Sequence, residues 1–501
     1  MFYSLLSIAV FSCVVLFVYS IYGFGLILHY DVWVGRGLYP GLAMAKGADL
    51  YQPMEGPHVT LYGPGCALFY ATAAIASTPE GAIWIAYLIN VLSLFLVLSY
   101  LLNHIFLKIF PVFKVRILAI IPSFILLTAI FLLEPSTAGV LKVHADMPAY
   151  FFLLLSLCFF HSFIQQNKKV LIWSTCVLLS LSVWSKIPTL PATIFPFLFF
   201  IIKAEFVNAF SYIFRLLLSF LIVSSVFFSL YGYEDTIFIL FKHVEKADMW
   251  GFRNTLFGGP NTWIRMGYIE ATPLLLRYFV MYLAEYWYIA CSFIISGYLI
   301  LRLEKKSSSN SIHLNLFIIY MLTLPPCLVA LAHYGSVENA LLFANATGLL
   351  LLFSSTILHS KEKFSSKGFL FLLWSLALIF SLPLARIAKS APSDSSLAPH
   401  QVAYEYLRKG NDDIFFGWYP ISHLLHSGKI YTSIEAPMHL NETMPDSFKF
   451  STSHFPENAK YLGTSSISGS GGMVLPYYLG KLKEEKTPAE LKGWRLYEPI
   501  E

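Results

Sequence analysis

Residues 5–28 read LLSIAVFSCVVLFVYSIYGFGLIL and contain no charged side chain. A helix needs about 20 mostly apolar residues to cross the hydrocarbon core of a bilayer, so this stretch predicts a spanning helix. No Lys/Arg-rich segment precedes it and no convincing cleavage site follows, which predicts a retained helix rather than a removed signal peptide. Further along the chain, comparable runs occur at roughly 81–103, 117–134, 147–164, 170–185, 189–203, 212–232, 278–301, 314–332, 338–358 and 368–388, giving about eleven spans. The run 67–76 is too short to cross and reads as a dipping or interfacial piece.

Composition agrees with this reading. The 501 residues are 57% hydrophobic and 13% charged, where a soluble domain carries about 25% charged residues. The net charge of +5 is small and the basic residues are scattered, so nothing points to a nucleic-acid partner. Of the six cysteines, five lie in apolar runs, and no CxxC or His/Cys metal spacing appears. No metal or cofactor is therefore expected.

Basic residues gather in alternate loops: Lys108, Lys114 and Arg116; Lys168 and Lys169; Lys203 and Arg215; Arg302, Lys305 and Lys306; Lys361, Lys363 and Lys367. Only Glu205, Glu304 and Glu362 oppose them. Such an excess marks the cytoplasmic side, which places the N-terminus inside and the C-terminus outside. This orientation requires 170–185 and 189–203 to be two segments, and Pro188 and Pro191 favour a break between them. The chain then divides into a transmembrane domain, 1–389, with external loops 29–66 and 233–277, and a soluble extracytoplasmic domain, 390–501. The second begins at the linker-like Ser390-Ala-Pro-Ser-Asp-Ser-Ser. It reads as small and α/β, with a helical HQVAYEYLRKG, a strand-like IFFGW, a helical ISHLLHSG and then KIYTSIEA.

The first external loop, HYDVWVGRGLYPGLAMAKGADLYQPMEGPHVTLYGPG (29–65), carries the most chemistry. Asp31 follows the first span directly. Ala43-x-x-x-Gly47-x-x-x-Tyr51 and Tyr62-Gly-Pro64 come next. Later, Lys142-Val-His144-Ala-Asp146-Met-Pro148 opens a span, Trp184-Ser-Lys186 precedes a proline-broken one, and His333-Tyr-Gly-Ser-Val-Glu-Asn339 leads into another. In this order and on a common external side, these motifs resemble the GT-C superfamily of integral membrane glycosyltransferases, and the resemblance covers most of residues 1–390.

The resemblance implies a polyprenyl-phosphate-linked sugar as donor and a cell-envelope glycan, lipid or protein as acceptor. It implies transfer with inversion in a bacterial inner membrane, with Asp31 as general base and Asp146 as a second catalytic-site residue. A base that takes the acceptor's proton is worth about 10²–10⁴-fold. On local sequence alone Asp146 reads equally as a helix N-cap before Pro148. Candidate partners for the donor phosphate are Lys142, His144, Lys186, Arg253 and Arg265, since cations stabilise the charge that develops on a departing phosphate. Tyr51 and Tyr62 are expected in the substrate loop. The loop 233–277 also carries Glu234, Asp235, Glu245, Asp248 and Glu270, which fits a solvated surface too.

Three other readings compete, and one of them, a non-enzymatic anchor presenting the tail, would not need so many spans. A transporter or flippase of lipid-linked sugars would place ionisable groups near the bilayer midplane, whereas here they cluster at one face. An O-antigen polymerase or ligase shares the many spans and large external loop but lacks the pattern at 31–64.

Overall fold

The computed structural model describes residues 2–51, 59–60, 62–107, 110–237, 252–253, 263–264, 272–303, 311–332, 338–360, 365–433, 455–465 and 482–499. Helix dominates. Among the described residues seven helices are long and apolar enough to cross a membrane: Phe2–Leu28, Pro79–Leu107, Phe113–Leu133, Asp146–Gln166, Phe206–Tyr231, Ser311–Ala332 and Ser366–Lys389. An eighth arises if Thr272–Glu285 and Trp287–Leu303, bent by 85°, are taken as one. These are the helices of a multi-pass membrane protein. The helix Phe206–Tyr231 shows why: it leaves Phe206, Val207, Phe210, Phe214, Leu217, Leu221 and Leu230 exposed, a continuous apolar surface suited to lipid rather than water.

The other three stretches expected to span are helical but short. The helix Lys169–Ser185 has 17 residues, roughly 26 Å at the helical rise, against a hydrocarbon core of about 30 Å. It stops where Lys186 turns extended, with φ −157° and ψ 116°. Pro188 and Pro191 cannot donate backbone hydrogen bonds, so the chain continues as a 3₁₀ helix, Ile187–Ile194, before Phe195–Ile202. The apolar helix Leu342–Ile357 is the third. The run at 67–76 lies in two short pieces, Pro64–Tyr70 and Ala71–Ile75.

Of the loop 233–277, the described part consists of Tyr233–Ile237, the strand pair Phe252–Arg253 and Trp263–Ile264, and the start of the helix at Thr272.

The tail folds around a four-stranded sheet in the order Ile414–Phe415, Tyr461–Ser465, Trp494–Pro499, Leu482–Glu485. The first pair is parallel and the other two pairs are antiparallel. A parallel pair needs a crossover connection, and the helix Pro420–Ser427 lies in it. Helix Pro399–Arg408 packs beside that helix, and Ala403, Leu407, Phe415, Phe416, Trp418, Leu462, Trp494 and Leu496 form the core. Val32, from the turn after the first membrane helix, belongs to the same core, and Trp33 packs against it. Residues 429–433 form no strand; instead the backbone of Tyr431 meets Tyr39.

Candidate functional site

The helices Asp146–Gln166 and Lys169–Ser185 are joined by two residues, so they run antiparallel and the start of one lies beside the end of the other. Asp146 and Lys186 meet there. Lys186 Nζ donates to Asp146 Oδ1, and His144 Nδ1 donates to Oδ2 at 2.5 Å. The carboxylate is 1% exposed, against 20% for Lys186 and 12% for His144. A buried carboxylate is tolerated when paired and hydrogen-bonded, and both its oxygens have donors here. The helix begins with Ala145 in the cap position and no side-chain cap. Asp146 therefore spends its carboxylate on this cluster instead of capping the helix.

His144 is held at both nitrogens. Its Nε2 lies 2.9 Å from the Tyr62 hydroxyl, and the two rings meet edge-on. With Nδ1–H donated to Asp146, Nε2 accepts the Tyr62 proton, a neutral imidazole between acid and phenol. Burial pushes His144 below its ordinary pKa; Asp146 pulls it up, and the charges of Lys186 and Arg36 press it down again.

The Tyr62-Gly-Pro-Gly sequence explains how Tyr62 reaches this place. A Cβ on Gly63 would stand 1.7 Å from the carbonyl oxygen of Trp184, so only glycine lets the loop lie on the end of the 169–185 helix. Tyr51, 1% exposed, donates its hydroxyl to the Tyr62 carbonyl at 2.5 Å. It therefore supports the loop, while Tyr62 carries the contact with His144. Two groups not singled out in the sequence fix the facing segment. Asn90 donates to the carbonyls of Leu141 and Lys142 at 3.2 and 2.9 Å, and Tyr70 donates to Asn90 Oδ1 at 3.0 Å. The signal was Asn90, an amide in the middle of an apolar run.

Asp31 lies in the turn after the first helix, partly exposed. Its Oδ1 accepts from the Trp33 amide at 2.9 Å, a local Asx turn. Arg36, one turn on, stacks its guanidinium 3.6 Å over the Trp33 ring, and its charge also reaches His144. A Cβ on Gly37 would meet the Val143 carbonyl at 2.6 Å, so this turn is pressed against the 143–144 backbone. Gly37 thus brings the turn that carries Asp31 and Arg36 against the segment that carries His144. Arg36 was overlooked, although it is the one cation in 29–45.

The Lys142 side chain is exposed, and Arg253 lies in a two-residue strand. Arg265, with Lys242, His243, Lys246 and residues 333–337, falls outside the described residues. Among the described residues no group of three His, Cys, Asp or Glu side chains is placed to hold a metal ion.

The tail covers the same end of the helices. Tyr30 donates to the Asp394 carbonyl at 2.7 Å, and Trp33 meets Trp418 edge-on with centroids 5.8 Å apart. The Tyr39 hydroxyl donates to the Tyr431 carbonyl at 2.5 Å and accepts from its amide at 3.0 Å. Tyr404 donates to the Ser77 carbonyl at 3.1 Å, and Ser395 to Glu80 Oε1 at 2.5 Å. His400 is buried against the Asp31 backbone and the Tyr419 ring, and burial pushes its imidazole down to about 3.

A second polar network has one direction throughout. Tyr320 donates to Tyr282 (3.0 Å), Tyr282 to Asn345 Oδ1 (2.9 Å), Asn345 Nδ2 to Ser136 (2.7 Å) and Ser136 to Glu134 Oε1 (3.0 Å). Tyr288 donates to the other oxygen, Oε2, at 2.5 Å. Tyr282 has given its one proton to Asn345, so Tyr320 must be the donor in their pair. Tyr282 and Tyr288 stand on either side of the 85° bend, so the network ties both arms to Glu134.

Compared with protein-family models and with curated protein sequences, the chain matches none.

Proposed function

We propose that this chain is a GT-C-like membrane glycosyltransferase that moves a sugar from a polyprenyl-phosphate donor to a cell-envelope glycan, lipid or protein. In this reading it has about eleven spans in a bacterial inner membrane, with the N-terminus cytoplasmic and the tail outside. The observation that carries the proposal is a juxtaposition at one end of the apolar helices. A partly exposed carboxylate, Asp31, lies in a turn whose Gly37 is pressed against Val143 and His144, and His144 belongs to the buried Asp146–Lys186–His144 cluster.

The reaction follows from these groups. The acceptor oxygen attacks the anomeric carbon while Asp31 takes the hydroxyl proton. The bond from that carbon to the phosphate oxygen breaks, and its electron pair leaves with the phosphate, which gains a negative charge. Lys186 has given one of three N–H donors to Asp146 and keeps two for the phosphate. Arg36 adds a planar fork suited to phosphate. Asp146 serves here to hold Lys186 and to orient His144. Donor-dependent sugar transfer by the purified protein tests the proposal, with Asp31→Asn as the control that removes basicity and keeps shape.

A further inference from the structure

The Asp31 turn is built as much from the tail as from the membrane helices. Val32 is 5% exposed within the tail's own core, and Trp33 packs against that core. Tyr30, Trp33, Gly35 and Tyr39 each face a tail residue: Asp394, Trp418, the His400 ring and Tyr431. A position for a Cβ on Gly35 stands 3.6 Å from His400 Cε1 and 3.5 Å from the Trp418 carbonyl. The contacts thus fall on both sides of Asp31. Among the described residues the side chain of Asp31 makes only a local bond, to Trp33. Its direction therefore depends on Trp33, and Trp33 depends on Trp418.

We infer that the tail domain is a positioning module for Asp31 and Arg36, with Trp418 and His400 as its positioning residues. The catalytic part of this inference rests on the glycosyltransferase reading. The ordering of the turn by the tail stands apart from that reading. A base must be held within hydrogen-bond reach of the proton it takes, and misplacement by about 1 Å can cost on the order of 10²-fold. The turn takes part of its packing from the membrane helices, through Val34 and Gly37. Insertion of residues 32 and 33 into the tail's core supplies the rest.

The test compares Trp418→Ala, Trp418→Phe and Asp31→Asn in the full-length protein in nanodiscs. Backbone hydrogen exchange over 30–36 is read alongside kcat and KM for a polyprenyl-phosphate sugar. Trp418→Ala should raise exchange at 30–36 at least about tenfold and lower kcat toward the 10²-fold limit, with KM for the donor changed much less. Trp418→Phe keeps an aromatic edge against Trp33 and should recover most of both. Unchanged exchange at 30–36 in Trp418→Ala overturns the inference. So does raised exchange with unchanged kcat when Asp31→Asn is inactive. If Asp31→Asn turns over normally, the reading of Asp31 as base falls instead, and the exchange data alone decide whether the tail orders the turn. Should Trp418→Ala not fold, Tyr30→Phe removes only the hydroxyl bond to Asp394 and must show the same pair of changes at smaller size.

Discussion

Lys186 donates to Asp146 from the far end of a neighbouring helix, and the carboxylate it meets is 1% exposed. The pair closes the start of one antiparallel helix against the end of the other. Breaking a buried pair leaves an uncompensated charge and costs about 3–5 kcal/mol. Lys186→Met should therefore lower the unfolding temperature clearly, as well as weaken donor binding. Adding Asp146→Asn to Lys186→Met should restore much of the stability, because no buried charge is then left unpaired. Equal unfolding temperatures for the parent and Lys186→Met would show that the pair is not closed in the folded protein.

Gly63 makes a second, sharper packing prediction. Gly63→Ala adds one methyl at a position 1.7 Å from the Trp184 carbonyl, and backbone must move to admit it. Overpacking typically costs about 1–3 kcal/mol, and the displaced element carries Tyr62. The variant should be less stable and should release Tyr62 from His144, read as increased hydrogen exchange at 62–66. A variant with parental stability and parental exchange would place the loop elsewhere.

The Glu134 network predicts an asymmetry between two conservative changes. Every donor points toward Glu134, so its carboxylate must accept on both oxygens. Glu134→Gln sets an amide N–H₂ against either Tyr288 or Ser136, whereas Tyr288→Phe only removes one donor. An unsatisfied buried polar group costs about 1–3 kcal/mol. Glu134→Gln should destabilise more than Tyr288→Phe, and hydrogen exchange should rise in both arms of the bend, 278–298. A larger effect from Tyr288→Phe would contradict the direction assigned to the network.

Acid should loosen the tail through its histidines. His400 and His423 are both buried, and burial pushes each down to about 3. His423 Nε2 also accepts from the Phe416 amide at 3.0 Å, which needs the neutral ring. Each binds a proton near 6.5 once unfolded, so between about 6.5 and 3 the unfolded state holds more protons. Their contribution is complete above about 6.5 and is lost as pH falls through that window. Between pH 6.5 and 5, where carboxylates titrate little, His400→Gln should reduce the slope of tail stability by up to about 1.4 kcal/mol per pH unit. The readout is denaturant unfolding followed by tryptophan emission from Trp418 and Trp494. An identical slope in parent and variant would mean that His400 is not buried neutral.

Much of the fold was legible because membrane helices announce themselves in long apolar runs. The break after Ser185 was legible too, from Pro188 and Pro191; that the segment beyond it begins as a 3₁₀ helix, Ile187–Ile194, was not. At the candidate site, Asp146, His144, Lys186 and Tyr62 stood out as motif residues, and the structure brings them together. Their pairing was not legible, because it depends on a two-residue helical turn and on a glycine lying against a carbonyl. Tyr51 was expected in the substrate loop, and its hydroxyl holds the backbone of Tyr62 there. Arg36 was hidden as a single cation among glycines. Val32 gave no signal of belonging to a core built from residues 403–497, since contacts at that separation leave no local period.

The central claim is sugar transfer with Asp31 as base, and one measurement meets it directly. Purified protein in nanodiscs is given a polyprenyl-phosphate-linked sugar and an envelope-glycan acceptor, and single-turnover transfer is compared for the parent and Asp31→Asn. The account predicts transfer that depends on the donor and falls by about 10²-fold or more in Asp31→Asn, with donor affinity and folding retained. Transfer at the parental rate by Asp31→Asn would remove Asp31 from the mechanism, and no transfer by the parent from any polyprenyl-phosphate sugar would contradict the proposed function itself.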